Sequence, residues 1–255
     1  MEQIKNQPKS ETTFETELMS IQTSQPKLYI SAPHACPYIE PETASTVLLD
    51  PSYKVDNALF SILLKSGFRR SGKTIYKPHC RNCNACVSVR IPAREYQPNR
   101  SQKRCLKINQ DIQTTMVPAV FKQEHFDLYC RYQFWRHTGD IMDHNDPHRY
   151  QEFMVDSIIE TVFLEYRLDG KLVAVSVCDL PDDGMSAVYT FFDPDLKRRS
   201  LGTFAIMKQI EYVAQMELDW IYLGYWIENC KKMSYKTNFK PMFGYINKEW
   251  RIISI

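Results

Sequence analysis

The sequence predicts a mixed α/β (α+β) protein, with a small N-terminal cysteine-containing domain followed by a larger domain of strands and helices. Three observations lead to this prediction: apolar residues at helical spacing, apolar runs bounded by turn residues, and eight cysteines, three of them at three-residue intervals. A chain of 255 residues favours two domains, and its hydrophobic content of 44% is enough to build full cores.

The N-terminal part contains one predicted helix and several short strands. Residues 1–27 are polar, have no signal-peptide core, and are expected to form a loose lead-in. The stretch VDNALFSILLKSGFRR predicts an amphipathic helix between Asp56 and Gly67, with an apolar face of Val55, Ala58, Leu59, Ile62 and Leu63. TIYKPHC and CVSVRIPA predict strands around a cysteine turn, and PNRSQKRCLKIN predicts a basic loop or the start of a helix.

The sequence pattern changes near Val117, which predicts a domain boundary there and domains of residues 28–116 and 117–255. After it, FKQEHFDLYCRYQFWRHTG predicts a helix, and VFLEYRLDGKLVAVSVCDL predicts a hairpin that turns at Asp169-Gly170. MSAVYTFFDPD predicts a third strand, and Ser200 is the expected N-cap of a helix in LGTFAIMKQIEYVAQMEL. DWIYLGYW predicts a fourth strand, and NCKKMSYKTNF a short final helix.

This order of elements is found in GNAT-type acyltransferases, so a GNAT-like second domain is expected. In acetyl-CoA enzymes of that type, a glycine-rich turn at a helix N-terminus binds the pyrophosphate. Arg199 and Gly202 fit that turn, but Phe204 stands where glycine or alanine is needed. The bulky ring argues against a CoA donor. An acyl-CoA N-acyltransferase is therefore the weaker alternative.

Charge is distributed unevenly along the chain. Residues 65–107 contain twelve basic residues and one acid, a net charge of +11, whereas the rest has 20 basic residues against 29 acids, a net charge of −9. A solvated face usually mixes signs, so this separation favours a polyanionic partner such as nucleic acid. No apolar run is long enough to span a membrane, and a cytoplasmic protein with reduced cysteines is expected.

Cys80, Cys83 and Cys86 form a C-x2-C-x2-C run, and Cys36 is a fourth candidate ligand. Clustered, reduced thiols favour metal binding over disulfides. This set suits a [4Fe–4S] cluster better than structural zinc, and the alternative is thiols that only pack. The other four cysteines lie in helix or strand patterns and are expected to be packing residues.

Several blocks of sequence resemble one family when taken in order. They are CPY, GFRRSGKTIYKPHCRNCNACVSVRIP, NRSQKR, LYCRYQFWRH, AVYTFFDPD, RSLGTFAI, YLGYWI and CKKMSYK. From about residue 28 to 250 the chain resembles the aminoacyl-tRNA–protein transferases. It is most similar to the short bacterial branch, the aspartate/glutamate leucyltransferases, and more distantly to the eukaryotic arginyltransferases. Eukaryotic relatives hold an iron–sulfur cluster through N-terminal cysteines, and Cys36 and Cys83 are the best matches here.

The resemblance implies transfer of an amino acid from charged tRNA to the α-amino group of a protein that begins with Asp or Glu. This modification marks the protein for degradation under the N-degron rule. The aminoacyl-tRNA is the co-substrate, and no cofactor is required for the chemistry. The short length implies leucine as donor, with arginyl-tRNA as an alternative. A non-catalytic metal- or cluster-containing nucleic-acid-binding protein is the alternative from another class, and the oligomeric state stays open.

Candidate residues follow from the matching blocks. For catalysis they are Asp193, as proton acceptor, with His137, Tyr189 and Thr190. For binding the acidic acceptor they are Lys236, Tyr235, Arg90, Arg131 and Lys231. Tyr225, Trp226, Arg199 and Gly202 are the donor set, and Arg69, Arg70, Arg100, Lys103 and Arg104 are the tRNA-backbone set. The alternatives are a turn starter for Asp193, a helix cap for His137 and solvated positions for Lys236 and about half of the tRNA set.

Overall fold

The computed structural model describes residues 26–136 and 146–254. The strands in this part of the chain are β1 (Leu28–Ile30), β2 (His34–Ala35), β3 (Thr43–Ala44), β4 (Thr46–Leu49), β5 (Arg69–Ser71), β6 (Thr74–Pro78), β7 (Val87–Pro92), β8 (Ile112–Pro118), β9 (Thr161–Leu168), β10 (Lys171–Asp179), β11 (Gly184–Phe192), β12 (Trp220–Trp226), β13 (Phe243–Ile246) and β14 (Glu249–Ile252). The helices are α1 (Asn57–Lys65), α2 (Arg100–Ile108), α3 (Gln123–Arg136), α4 (Pro147–Tyr150) and α5 (Leu201–Gln215).

Eight of the described strands form the main sheet, in the order β14-β13-β7-β12-β11-β10-β9-β8. A smaller sheet has the order β1-β4-β6-β5, and β2 pairs with β3. Within the main sheet β11 and β12 run parallel, and the other paired neighbours are antiparallel. The predicted mixed α/β (α+β) class is confirmed.

The hairpin of β9 and β10 confirms the prediction made from its turn. Asp169 has φ 49° and Gly170 has φ 80°, and the flanking residues Leu168 and Lys171 pair across the strands. Two successive residues in the left-handed region match the twist of the strands, which is why Asp-Gly suits this turn.

Helices cover both faces of the main sheet. On one face, α2 and α5 pack against strand residues such as Tyr166, Val173 and Ile221. On the other face, α3 and α4 pack against Phe163, Val175 and other alternate residues of the same strands. Neighbouring residues along β9 therefore belong to opposite cores, as the two-residue period of a strand requires. The centre of the sheet is therefore buried on both faces.

The start of α5 agrees with the prediction in position but not in its contacts. Ser200 is the N-cap residue, as predicted, but its φ is 50° and its side chain makes no capping hydrogen bond. Its carbonyl oxygen accepts hydrogen bonds from the N–H groups of Thr203 and Phe204. Phe204 itself is 3% exposed and packs edge-to-face on Tyr166, with ring centroids 5.8 Å apart. Its ring lies in the core, so the proposed steric block of a pyrophosphate is not supported.

In α1 the Asp56 cap is observed, with its carboxylate accepting a hydrogen bond from the Leu59 N–H at 2.8 Å. The predicted apolar face is only partly right, because Phe60, Leu63 and Leu64 are buried whereas Ile62 is 60% exposed. Phe60 and Leu64 pack against the small sheet instead.

The N-terminal and C-terminal parts of the chain share the main sheet. Strand β7 lies between β12 and β13, and β8 spans the boundary that the sequence suggested after residue 116. The small sheet and α1 pack against the same side of β12, where Tyr222 joins their core. The division into two domains stays a prediction. Among the described residues, no helix has the length and apolar character that crossing a membrane requires.

Candidate active site

The candidate site lies where two parallel strands of the main sheet separate. β11 and β12 pair only from Gly184 to Ser186 and from Trp220 to Tyr222. Beyond this point β12 stays paired with β7 and β11 stays paired with β10, so a gap opens between them. A cleft of about 770 Å³ occupies the gap and extends to the start of α5. That volume is in the range of small-ligand sites.

The lining of this cleft is strongly basic and partly aromatic. Its side chains include five cations and no carboxylate among the described residues, the cations being Arg69, Arg136, Lys197, Lys232 and Lys236. The aromatic side chains are Tyr132, Trp135, Tyr189, Phe192 and Tyr235. Unbalanced positive charge beside aromatic faces suits a ligand that carries phosphates, carboxylates and a nucleobase.

Lys236 is the most perturbed cation of the cleft. It lies on the 3₁₀ segment Lys231–Asn238, is 5% exposed, and donates a hydrogen bond from Nζ to the carbonyl oxygen of Tyr225. Burial lowers its pKa to about 7, and the nearby Arg69 guanidinium acts in the same direction. Such a lysine is partly uncharged at neutral pH and can accept a proton.

Two predicted catalytic residues, Tyr189 and Thr190, line the cleft from β11. The Thr190 hydroxyl lies 3.0 Å from the Ser176 hydroxyl, which in turn accepts a hydrogen bond from Gln209 Nε2 at 2.9 Å. This chain of contacts fixes the orientation of Thr190. Burial raises the pKa of Tyr189, so its phenol stays protonated.

Asp193 occupies the end of β11 but is not among the residues that line the cleft. Its carboxylate accepts hydrogen bonds from Arg131 Nη2 at 2.8 Å, from Lys171 Nζ at 3.4 Å and from the Asp195 N–H at 3.1 Å. Burial alone would raise its pKa, but these donors hold the pKa below its ordinary value. A carboxylate so engaged is a poor proton acceptor, and the turn-forming alternative agrees better with these contacts.

Arg131 is committed to the same network. It also donates to Asp195 at 2.9 Å, and it lines an adjoining cavity of about 400 Å³ together with Phe134 and with Trp135 and Lys197, which also line the cleft. The predicted catalytic residue His137 lies outside the described residues.

Arg90 contacts aromatic rings and does not reach the cleft. Its guanidinium carbon lies 3.6 Å from the ring centre of Trp220 and 4.2 Å from that of Trp250. The charge is thus held between two indole faces, which removes the reason for expecting a bound anion there. Lys231 is exposed, and its neighbour Lys232 is the residue that lines the cleft.

Of the predicted donor set, Gly202 lines the cleft. Tyr225 is buried, and its hydroxyl donates to the Gly67 carbonyl oxygen at 2.9 Å. Trp226 is 8% exposed and belongs to the core. Arg199 forms a paired contact with Asp111, at 2.7 and 2.9 Å. These three side chains are engaged within the protein.

The predicted tRNA set divides into three groups. The prediction for Arg70 is wrong, because its side chain is fully buried and cannot contact a phosphate. Its Nη2 and Nε donate hydrogen bonds to the Asp179 carboxylate at 2.5 and 2.9 Å. Arg69 lines the cleft. Arg100, Lys103 and Arg104 are exposed at helical spacing along α2, together with Lys107. We call these four residues the α2 basic face.

The α2 helix is attached to the rim of the cleft at both ends. Near its N-terminus, Gln102 donates to the carbonyl oxygen of Asn238, at the end of the segment that carries Lys236. At its C-terminus, Asn109 Nδ2 donates to the carbonyl oxygen of Arg199 at 2.8 Å, next to the start of α5. The α2 basic face is therefore positioned beside the cleft.

The thiols of Cys80, Cys36, Cys83 and Cys230 are close enough to Cys86 to act on it electrostatically, but no three of these sulfur atoms lie within 4.8 Å of one another. Burial raises the pKa of Cys86 to about 11, and the thiols of Cys80, Cys36, Cys83 and Cys230 act in the same direction. Sequence reasoning had assigned Cys230 to packing. Among the described residues, the group whose possible ligand atoms lie within 4.8 Å of one another is Glu124, His125 and Glu165.

That acidic group is engaged by cations of the protein. Glu165 accepts hydrogen bonds from Lys122 at 2.6 Å and Arg167 at 2.8 Å, and it lies 2.9 Å from His125 Nε2. Burial alone would raise its pKa, but these contacts lower the pKa to about 2. The charge is balanced, so the group serves as a structural ion-pair network.

Sequence reasoning missed Arg136, Lys197, Lys232 and Trp135 as cleft residues. They come from three segments that are distant in sequence, and none lies in a pattern that distinguishes it from a solvated residue. The doubled lysine in NCKK was the available signal for Lys232.

Comparison with known proteins identifies the family. The family model for the N terminus of arginine-tRNA-protein transferase matches residues 34–104, and the family model for its C terminus matches residues 124–246. "Aspartate/glutamate leucyltransferase" of Pseudomonas entomophila is 49% identical over 224 residues, 88% of this chain and 95% of the relative. The protein of that name from Pseudomonas fluorescens Pf-5 is 47% identical over 228 residues, 89% of this chain and 97% of the relative.

Among solved structures, FemX aligns with a TM-score of 0.46 and 7% identity over 88% of each chain. A GCN5-related glucosamine N-acetyltransferase region of a fungal β-N-acetylglucosaminidase aligns with a TM-score of 0.36 and 10% identity, over 61% of this chain and 19% of the other. With both family descriptions matched and relatives nearly half identical along most of its length, the chain belongs to the arginine-tRNA-protein transferase family, and within it to the group whose curated relatives are named aspartate/glutamate leucyltransferases.

Proposed function

We propose that this chain transfers leucine from leucyl-tRNA to the α-amino group of proteins whose first residue is aspartate or glutamate. In this reaction the leucyl carboxyl carbon gains a bond to the acceptor nitrogen and loses its ester bond to the terminal ribose of the tRNA. The names of the nearly full-length relatives support the reaction. The observation of this chain that carries the proposal is the cleft beside β11, lined by five cations and no acid among the described residues.

The same lining favours leucine over arginine as the donor. An arginyl side chain would bring a guanidinium into the cleft, where it would need a carboxylate partner. Among the described residues the lining offers none, whereas Val188, Leu201, Ile206 and Leu223 provide apolar surface. A leucyl side chain can be buried there without an unpaired charge.

We assign proton transfer to Lys236. An α-ammonium group has a pKa of about 8 and must lose a proton before its nitrogen attacks the ester. Lys236 supports this role because its pKa of about 7 leaves much of it uncharged at neutral pH. After accepting the proton, its ammonium faces the developing oxyanion, and the proton can pass to the departing ribose oxygen.

The proposed tRNA contacts are the α2 basic face and two residues at the mouth of the cleft, Trp135 and Lys197. Arg100, Lys103, Arg104 and Lys107 are exposed on one helix that reaches the rim of the cleft. Exposed cations bind phosphates without sequence preference, so they would position the acceptor stem. Trp135 and Lys197 at the mouth suit an unpaired 3′ end, because a base can stack on an indole.

For the cysteines we propose a metal or cluster site with a structural role. Cys36, Cys80, Cys83 and Cys86 form the thiol donor set that iron–sulfur clusters and structural zinc use. The C-x2-C-x2-C spacing and the electrostatic action of Cys80, Cys36 and Cys83 on Cys86 support this assignment, and metal binding would remove the thiol protons. Iron, sulfide and zinc analysis of anaerobically purified protein tests it, with Cys83→Ser as the variant that should lose the metal.

Aminoacyl-tRNA is an intracellular substrate, so the proposed site of action is the cytoplasm. The added leucine would mark the acceptor for degradation, as the N-degron function of the family implies.

A donor assay tests the proposed reaction. Purified protein receives leucyl-tRNA or arginyl-tRNA together with a peptide that begins with Asp. We expect leucine on the peptide and a strongly reduced single-turnover rate for Lys236→Met, with Lys54→Met as an exposed control. Arginine transfer in place of leucine would contradict the donor assignment. An unchanged rate for Lys236→Met would contradict the role of Lys236.

A further inference from the structure

Arg69 occupies the gap between β11 and β12. It belongs to β5 of the small sheet, yet its guanidinium reaches across to the main sheet and lines the cleft. Its Nη2 donates a hydrogen bond to the carbonyl oxygen of Ala187 at 2.8 Å. Ala187 is the first residue of β11 beyond the segment that pairs with β12. Arg69 therefore holds the gap open at its base.

The backbone of β12 is shaped to accommodate this side chain. The pairing of β12 with β7 shifts register between Tyr222 and Gly224, and Gly224 has φ 74°. A Cβ at position 224 would lie 1.9 Å from Arg69 Nη1 and 2.2 Å from Cζ. Only glycine allows both the backbone conformation and this close approach. A bulge and a glycine in the middle of a buried strand indicate that the position of Arg69 is specific.

Arg69 has no carboxylate partner among the described residues, unlike its neighbour Arg70, which is fully paired with Asp179. Its other contact is with the Tyr225 ring, whose centre lies 5.9 Å from the guanidinium carbon. Lys236 lines the same cleft, and the positive charge of Arg69 contributes to lowering its pKa. A guanidinium without a carboxylate partner, in a cleft lined by other cations and by no acid among the described residues, creates a site for an anion.

We propose that Arg69 binds the side-chain carboxylate of the acceptor's first residue and thereby sets the preference for aspartate and glutamate. This inference rests on the proposed leucyl transfer. A guanidinium offers paired donors that match a carboxylate, and its fixed position between two strands makes it selective. The α-amino group is only a few bonds from that carboxylate, so binding at Arg69 places the amine beside Lys236, its proposed proton acceptor.

A carboxylate fits Arg69 better than a tRNA phosphate does. Arg69 lies at the base of the gap and is only partly exposed, whereas Arg136 and Lys232 are exposed cations of the same lining. Phosphates that approach from solvent would meet the exposed cations first. Arg69, which is less exposed and is held between the two strands, is then left for the smaller anion, the side chain of the acceptor.

Peptides that differ only in charge test the proposal. We measure kcat/KM with leucyl-tRNA for peptides that begin with Asp, Glu or their neutral isosteres Asn and Gln. Arg69→Ala should lower kcat/KM for the acidic peptides by about 10- to 100-fold and should change kcat/KM for the neutral peptides by no more than about twofold. The KM for leucyl-tRNA should stay unchanged. Added methylguanidinium should restore part of the loss, which a purely structural defect would not allow.

The matched control is Arg251→Ala, which removes an exposed arginine that pairs with Glu249. Arg69→Lys is the second variant, because it keeps the charge and a hydrogen bond to Ala187 while it loses the paired donors. Arg69→Lys should fold, and its preference for acidic over neutral peptides should lie between those of the wild type and Arg69→Ala. Equal losses on acidic and neutral peptides, or a loss that appears as a raised KM for leucyl-tRNA, would overturn the proposal.

A binding measurement separates this inference from the proposed reaction. Calorimetric titration with the dipeptide Asp-Ala, compared with Asn-Ala, needs no tRNA and no transfer. Preferential binding of Asp-Ala by the wild type and its loss in Arg69→Ala would support the role of Arg69 even if no leucine were transferred. Transfer that prefers acidic peptides equally in both proteins would retain the reaction and refute the role of Arg69.

Discussion

Lys236 couples the chemistry of the cleft to the stability of the fold. Burial lowers its pKa from 10.5 to about 7, whereas in the unfolded chain a lysine titrates at about 10.4. At a pH between about 7 and about 10, Lys236 binds a proton in the unfolded chain but not in the folded chain. The free energy of unfolding should therefore rise with pH from about 7 to about 10. Below pH 7 the folded protein bears the full cost of a buried ammonium.

The size of this cost follows from the two pKa values. At about 1.36 kcal/mol per decade, the difference corresponds to about 4 to 5 kcal/mol at pH 6. Lys236→Met removes the charge but leaves the Tyr225 carbonyl oxygen without its donor, which costs about 1 kcal/mol. We therefore expect Lys236→Met to raise the free energy of unfolding at pH 6 by about 3 kcal/mol while it impairs transfer.

Urea unfolding at pH 6, 7, 8 and 9 measures this difference. Between pH 7 and 9 the wild type should gain about 2 to 3 kcal/mol relative to Lys236→Met, and the exposed control Lys54→Met should follow the wild type. A difference between wild type and Lys236→Met that is constant with pH would refute the lowered pKa. It would also remove Lys236 as a proton acceptor at neutral pH.

Three further predictions concern Gly224, the α2 basic face and the cysteines. Gly224→Ala should displace Arg69 and lower the rate of transfer to Asp peptides about tenfold or more. The control Gly170→Ala should lower only stability, because Gly170 has a similar φ but a Cβ there would meet no atom within 4 Å. Equal activity in both variants would contradict the packing role of Gly224. Replacing Lys103 and Arg104 with Glu should raise the KM for leucyl-tRNA about tenfold and reduce its salt dependence, and an unchanged KM would exclude the α2 basic face as a tRNA contact. Cys83→Ser should lower the melting temperature or acceptor binding more than the single-turnover rate, and the opposite pattern would place the cysteines in the chemistry.

Features set by neighbouring residues were predictable from the sequence. The turn at Asp169-Gly170 depends on two residues that favour positive φ, and α5 depends on apolar residues at helical spacing, so both were found. The error in α1 arose because Phe60 and Leu64, rather than Ile62, meet the small sheet, and the sequence of the helix does not indicate which side its partner covers.

The charges of the site were only partly predictable, because their partners come from distant segments. Arg69 and Arg70 are adjacent in a basic stretch, yet one lines the cleft and the other is buried against Asp179, more than a hundred residues away. The sequence suggests Asp193 as a base, but it does not show that Arg131 and Lys171 donate hydrogen bonds to its carboxylate. The KMSYK block indicates Lys236 as a site residue, but its burial, on which the proposed role as proton acceptor depends, is a property of the folded chain.

One competition experiment decides the proposed reaction. Wild-type protein receives leucyl-tRNA and an equimolar mixture of peptides that begin with Asp, Glu, Asn and Ala and are otherwise identical, and mass spectrometry identifies the products. We expect the mass of one leucine residue to be added to the Asp and Glu peptides, with little or none on the Asn and Ala peptides. Leucine on all four peptides alike would contradict a cleft built for an acidic first residue. No addition by folded, metal-replete protein would contradict leucyl transfer itself.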